Sequence, residues 1–202
     1  MSPHNGTNYS YHRVLDIAFT SFTGRHMHVN DGTKDGPLLY TIDNHNTKQH
    51  MIFHSQLQPN GAQALPSQST STATASFHHF SHAVDIRING RDMVLSRESK
   101  LRFDRGFAAP SLGGKKLIWT KASKWKHLYL NCVDEDGVVY ATYRPHGGFS
   151  LKKGGMLELL GPCGVSAGAG AAGKDSGLID KIIVTALVTI VLQIRAASAA
   201  AG

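Results

Sequence analysis

LIDKIIVTALVTIVLQI, Leu178–Ile194, is the stretch on which the fold turns. Its uncharged part, Ile182–Leu192, reaches roughly 16 Å as a helix, about half of a bilayer core. Counting all of Leu178–Ile194 gives roughly 26 Å, but Asp180 and Lys181 then enter the span. Eight of the eleven residues from Ile182 to Leu192 are β-branched, which suits a strand better than a soluble helix. The start has helix grammar: Asp175 or Ser176 can cap, and Asp180 suits a first turn. Three states therefore stand open: a helix buried inside a protein core, a membrane anchor and a central strand. A helix that is apolar all round belongs in an enclosed interior.

Upstream, the chain reads as β. Val84–Ile88 alternates apolar and polar, Asn89-Gly90 follows, and Arg91–Leu95 resumes. Asn-Gly between two such runs predicts a hairpin with a type I′ turn, because both central residues need positive φ. His127–Val133, the turn Asp134–Gly137 and Val138–Tyr143 predict a second hairpin. Phe149–Lys152, Lys153-Gly154-Gly155 and Met156–Leu160 predict a third. Lys115–Lys121 is a further strand, as are Arg13–Phe22, His26–Asp31, Pro37–Asp43 and His50–Gln56, punctuated by Gly, Asn and Asp. Consecutive hairpins of this kind describe an antiparallel meander. Residues 1–12 are expected to be disordered, 57–76 to form a mobile loop rich in Gln, Ser, Thr and Ala, and 161–177 a Gly- and Ala-rich loop. Residues 13–195 then make one domain, with 196–202 an Ala-rich tail.

Charge is uneven. Of 21 Lys and Arg and 14 Asp and Glu, four of each fall in residues 1–76, so the whole excess of +7 lies in 77–202. A basic surface attracts phospholipid head groups, nucleic acid or acidic proteins. No recognition helix or RNA-binding signature accompanies it, so nucleic acid is not an expected partner. Cys132 and Cys163 make neither a disulfide framework nor a metal spacing and fit a reducing compartment. The polar start, Met1–Tyr11, has no apolar core of a secretory signal.

The order of motifs resembles a known family. Pro37-Leu38-Leu39-Tyr40 is similar to an early strand ending in Tyr. Arg105–Pro110 followed by Lys115–Trp119 is similar to a motif of Arg, aromatic, small-Pro, Gly and strand Trp. Gly137–Ala141 and the terminal Leu178–Leu187 complete the set. Together they resemble a fungal family of domains of unknown function with the tubby C-terminal-like fold, which LURP-one-related proteins and phospholipid scramblases share. The resemblance covers roughly residues 36–195. It implies a mainly β protein: a closed antiparallel β-barrel of about a dozen strands around a central apolar C-terminal helix, 178–195. Two features depart from the family pattern: Arg195 stands alone where relatives carry a basic run, and 161–177 is unusually rich in Gly and Ala.

Tubby domains bind phosphoinositides through Lys and Arg on the barrel surface, and the resemblance implies a similar site here. Lys115, Lys116, Lys121, Lys124 and Lys126 lie in Ala109–His127, which contains no acidic residue, and Trp119 and Trp125 are interleaved. Arg144, with Lys152 and Lys153, extends the set. Strand alternation separates Lys116 from Lys115 and Lys121. Ammonium groups suit phosphate oxygens. Other groupings are weaker. His26 with His28 and His78 with His82 share strand faces, but no Cys or carboxylate completes a zinc spacing. Asp134-Glu135-Asp136-Gly137 lacks the ligand pattern of a calcium loop and reads as a turn. No frame such as G-x-S-x-G places a nucleophile. The expectation is a monomeric, non-enzymatic binding module without metal or cofactor, cytoplasmic or peripheral to a membrane, taking anionic lipid head groups. The alternatives are a tail-anchored protein with a cytosolic β domain and a protein-interaction barrel without a lipid ligand.

Overall fold

A computed structural model of the chain describes residues 12–20, 25–45, 50–56, 71–78, 82–99, 103–123, 128–147, 154–163 and 176–200. Twelve strands follow one another: β1 His12–Phe19, β2 His26–Asp31, β3 Leu38–His45, β4 His50–Ser55, β5 Ser71–Phe77 and β6 Val84–Ile88. The second half adds β7 Arg91–Arg97, β8 Arg105–Ala109, β9 Lys115–Lys121, β10 Leu130–Asp134, β11 Val139–Pro145 and β12 Gly155–Leu160. One helix, α1, spans Ser176–Ala200. Each strand pairs antiparallel with its neighbour in sequence, and β1 pairs with β12, so the sheet closes on itself without an edge.

Alternate residues point inward. Leu15 and Ile17, Met27 and Val29, Met51 and Phe53, Ile86 and Ile88, Leu117 and Trp119, and Leu157 and Leu159 are all buried. The other half of this core is α1. Every residue from Ile182 to Val191 is buried, whichever way its side chain points, and packs in one cluster with the inward strand residues. A closed barrel explains why so β-branched a segment is helical. An extended segment inside it would meet no free strand edge, and its N–H and C=O groups would go unpaired. A helix satisfies them internally. The two buried threonines follow the same rule. The Thr185 hydroxyl donates to the Lys181 carbonyl at 2.6 Å and accepts the Trp119 indole N–H at 2.9 Å, while that of Thr189 donates to the Thr185 carbonyl at 2.7 Å.

By length and composition Gly177–Ala199 is apolar enough to cross a membrane, with mean hydropathy 2.0. In the fold it fills the barrel.

Several boundaries differ from expectation. The loop placed at 57–76 ends early, because Ser71–Phe77 is β5. Its inward residues are Ala73, Ala75 and Phe77, so its apolar face is nearly methyl-sized and carries little hydrophobic signal. The remainder of that loop, most of 161–177 and residues 1–11 lie outside the described residues, as does Phe149–Lys153. The helix passes Arg195 and takes in much of the expected tail, since alanine is the best helix former and no breaker intervenes before Gly202. Because α1 begins at Ser176, no acidic residue lies in its first turn. Asp180 serves instead as a latch: it accepts the Tyr40 hydroxyl at 2.5 Å and the Asn89 amide at 3.3 Å. Asn89 and Gly90 have φ of 49° and 77°, as the predicted tight turn requires.

Burial raises the Asp180 carboxyl above its ordinary range against the two hydrogen bonds. A raised folded value means stability present at low pH and lost as pH rises through that value. Asp180→Asn keeps an acceptor for Tyr40 without the buried charge. It is expected to melt above the wild type at neutral pH, with the gap closing as pH approaches about 4. Thermal melts across that range check this.

Candidate functional site

The alternating directions of the strands give the barrel two unlike ends. At one end β12 finishes and α1 enters, with Asp180 against Tyr40 and the Asn89-Gly90 turn. The β10–β11 turn belongs to this end. The carboxylate of Asp134 there accepts the N–H groups of Asp136 and Val138 at 3.0 and 2.9 Å and the ammonium of Lys115 at 3.2 Å. Lys115 also donates to Asp136 at 2.7 Å. The acidic run read from sequence as a turn is therefore a turn, held by its own first carboxylate. No group of His, Cys, Asp and Glu that could hold a metal ion occurs among the described residues.

The opposite end is where α1 emerges. The Arg195 guanidinium donates to Asn44 at 2.9 Å and lies over the Phe77 ring, 4.4 Å from its centroid. Arg97 ends β7 and Arg105 begins β8. The register pairs them directly, and the alternation that buries Leu95 and Phe107 turns both arginines to the inner face. Lys121 ends β9 on the face of Leu117 and Trp119. Strands β3 and β4, β7 and β8, β9 and β10, and β11 and β12 are joined at this end. Lys124, Lys126, Lys152 and Lys153, singled out from the sequence, lie outside the described residues.

Four acidic residues near this end point outward and are occupied. Asp16 meets His146 at 2.7 Å, Asp43 meets His26 at 2.6 Å, Asp85 meets His78 at 2.7 Å, and Glu98 is engaged by Lys116 and Ser96. Among the described strand residues, none that faces inward at this end is acidic.

Within this mouth Arg105 is 5% exposed, and its Nε has no hydrogen-bond partner. Another of its nitrogens donates to the His82 carbonyl, and the guanidinium lies 5.3 Å from the Phe103 ring centroid. Burial, then the charge of Arg97, pulls the guanidinium below its ordinary value. Gln193, two residues before Arg195 on α1, is 7% exposed, and both polar atoms of its amide lack partners.

The basic strand read from sequence is thus divided. Its two outer lysines lie six residues apart, about 20 Å along a strand. Lys115 belongs to the acidic turn at one end and Lys121 to the basic mouth at the other. Lys116 lies between them on the outer face, bound to Glu98. Arg144 is on the outer face of β11, 3.8 Å from Glu158. Arg97, Arg105 and Arg195 have no counterpart among the lysines singled out by sequence. The Arg105 motif could have drawn attention to one of them, since a charge followed by Gly-Phe-Ala-Ala-Pro sits oddly in an apolar run.

No family model matches the chain, and no curated protein does. Among solved structures, a protein from Arabidopsis thaliana aligns at 11% identity, covering 87% of this chain and 90% of that one, with a TM-score of 0.41. So distant a likeness leaves the site to be read from its own residues.

Proposed function

We propose that the barrel is a non-enzymatic binding module for anionic phospholipid head groups and that the basic end docks on the membrane surface. The observation that carries this reading is the separation of charge. Cations at the α1 exit face a mouth into which no described strand residue turns a carboxylate, whereas Lys115 at the other end is neutralised by Asp134 and Asp136. The resemblance to the tubby C-terminal-like fold supports the same ligand class. In this reading the binding surface shifts from the face of β9 to one rim, and of the described lysines first considered only Lys121 contributes. A ring of strand ends gives a broad contact to a planar surface. Each cation held near an anionic bilayer adds about 1 kcal/mol.

Co-sedimentation of the full chain with phosphatidylcholine vesicles, with and without phosphatidylserine, tests the reading. Binding is expected only to the anionic vesicles and is expected to weaken with salt. Combining Lys121→Glu with Arg195→Glu is expected to lower the affinity at least tenfold. Equal binding to both vesicle types, or none at low salt, overturns it.

A further inference from the structure

We propose that three histidine–aspartate pairs around the α1 exit act as a pH switch on docking, tightening the hold on an anionic membrane as the medium turns acid. This deepens the proposed function and rests on reading that end as the docking one.

At neutral pH the outward carboxylates of this end repel an anionic surface. Three of them share one kind of partner. A ring nitrogen of His26 donates to Asp43 at 2.6 Å, one of His78 to Asp85 at 2.7 Å, and one of His146 to Asp16 at 2.7 Å. A neutral imidazole donates its single N–H and leaves the carboxylate its charge, so each pair is negative. Histidine is the side chain that changes charge between pH 5 and 8. With a second proton on the ring the pair is neutral, and the hydrogen bond becomes an ion pair without any movement. The three rings are 38–58% exposed, so water delivers the proton directly.

The pairs are placed where a bilayer at this end feels them. Asp43 is two residues from the end of β3, and Asp85 is one residue into β6, about 7 Å or less along a strand. That lies within the Debye length of about 8 Å at physiological salt. Asp16 is three residues from the end of β1, but its partner His146 follows the last residue of β11. Gly154, opposite His146 on the intervening strand side, has no side chain to stand between them.

The groups around the rings do not cancel the change. On the β1 side His26 meets uncharged Thr20, and the second oxygen of Asp43 lies 3.6 Å from His54 on β4. Beyond Asp85, Arg87 is 3.7 Å from Asp92, and before His146, Arg144 is 3.8 Å from Glu158. His45 and His50, opposite each other at the same rim, and His82 just before β6 gain positive charge when protonated, so they act in the same direction. An anionic bilayer draws protons to its surface as it draws other cations, and docking and proton uptake therefore favour each other.

Co-sedimentation of the full chain with vesicles of phosphatidylcholine and phosphatidylglycerol, at pH 7.5 and 5.5 and equal ionic strength, tests the switch. The phosphodiester of phosphatidylglycerol keeps its charge over this range, so a change in binding belongs to the protein. Affinity is expected to be about tenfold higher at pH 5.5, with the same far-UV circular dichroism at both pH values. The combined variant His26→Gln, His78→Gln and His146→Gln keeps an N–H donor for each carboxylate and cannot gain the charge. Its ratio of affinities between the two pH values is expected to be about threefold smaller than that of the wild type. If it does not fold, His26→Gln and His78→Gln taken singly are each expected to lower the ratio by about 1.5-fold. Equal affinity at both pH values, an acid gain that survives intact in the folded variants, or a gain that accompanies unfolding overturns the switch and leaves the docking reading standing. Binding at neither pH, even at low salt, overturns the docking reading and the switch with it.

Discussion

A chain ending at Gly177 is expected to lose the barrel altogether. The strands close around α1, and every side chain from Ile182 to Val191 is buried among their inward residues. Each large apolar side chain in such a position contributes about 1.5–3 kcal/mol by leaving water. A domain of ordinary stability has about 5–15 kcal/mol in all. Truncation also orphans the Trp119 indole N–H, now given to Thr185, and the Tyr40 hydroxyl, now given to Asp180. The twelve strands cannot collapse onto one another to fill the space, because a closed ladder fixes the barrel's width. Far-UV circular dichroism and urea titration of the full chain and the truncation, both made without detergent, check this. The full chain is expected to unfold in one cooperative transition and the truncation to show none. A truncation that melts cooperatively would mean that the strands form a core of their own, and that α1 is free to leave the barrel and act as an anchor.

The architecture could be read from the sequence where local chemistry has one answer, and was hidden where the answer depends on enclosure. Asn89-Gly90 between alternating runs fixes the β6–β7 hairpin, because few other residues tolerate two successive positive φ angles. The state of Ile182–Leu192 could not be fixed in this way. Its β-branched content favours a strand, and only closure of the sheet around it makes the helix the one conformation that satisfies its backbone. β5 was obscured because Ala73 and Ala75 present too little apolar surface to register as a buried face. β8 was obscured because it is five residues long and begins with an inward arginine.

The candidate site was the least legible part. Arg97, Arg105, Lys121 and Arg195 are spread over nearly half the chain, and they come together because every second connection of a meander returns to the same end. Proximity in sequence misled in the other direction. Lys115 and Lys121 share a strand and a face, and for that reason they stand at opposite ends of it.

Lys115 and its partner Asp134 should consequently govern stability rather than binding. The Asp134 side chain is 1% exposed, and its carboxylate gathers the Asp136 and Val138 N–H groups, the Tyr140 hydroxyl and the Lys115 ammonium. Asp134→Ala leaves all four donors without this acceptor and opens the β10–β11 turn. Each buried donor so orphaned costs about 1–3 kcal/mol, whereas Lys115, half exposed and still bonded to Asp136, loses little. Asp134→Asn keeps an acceptor for the two backbone N–H groups and surrenders the charge, so its loss is expected to be the smaller of the two. Acid separates the variants further. Burial alone would raise the Asp134 carboxyl, but the Val138 N–H and the Lys115 ammonium outweigh it and hold the group below its ordinary value. A depressed folded value means stability present above the unfolded value and lost as pH falls through the folded one. The wild type is therefore expected to lose this increment only below about pH 4, where Asp134→Asn, having no proton to gain, shows no corresponding loss. Urea titrations at neutral and acid pH measure both effects. Vesicle binding by whatever fraction of Asp134→Asn remains folded is expected to equal that of the wild type, because the acidic turn lies at the far end of the barrel from the basic mouth. A fall in vesicle affinity without a fall in stability would place the anion surface at Lys115 after all.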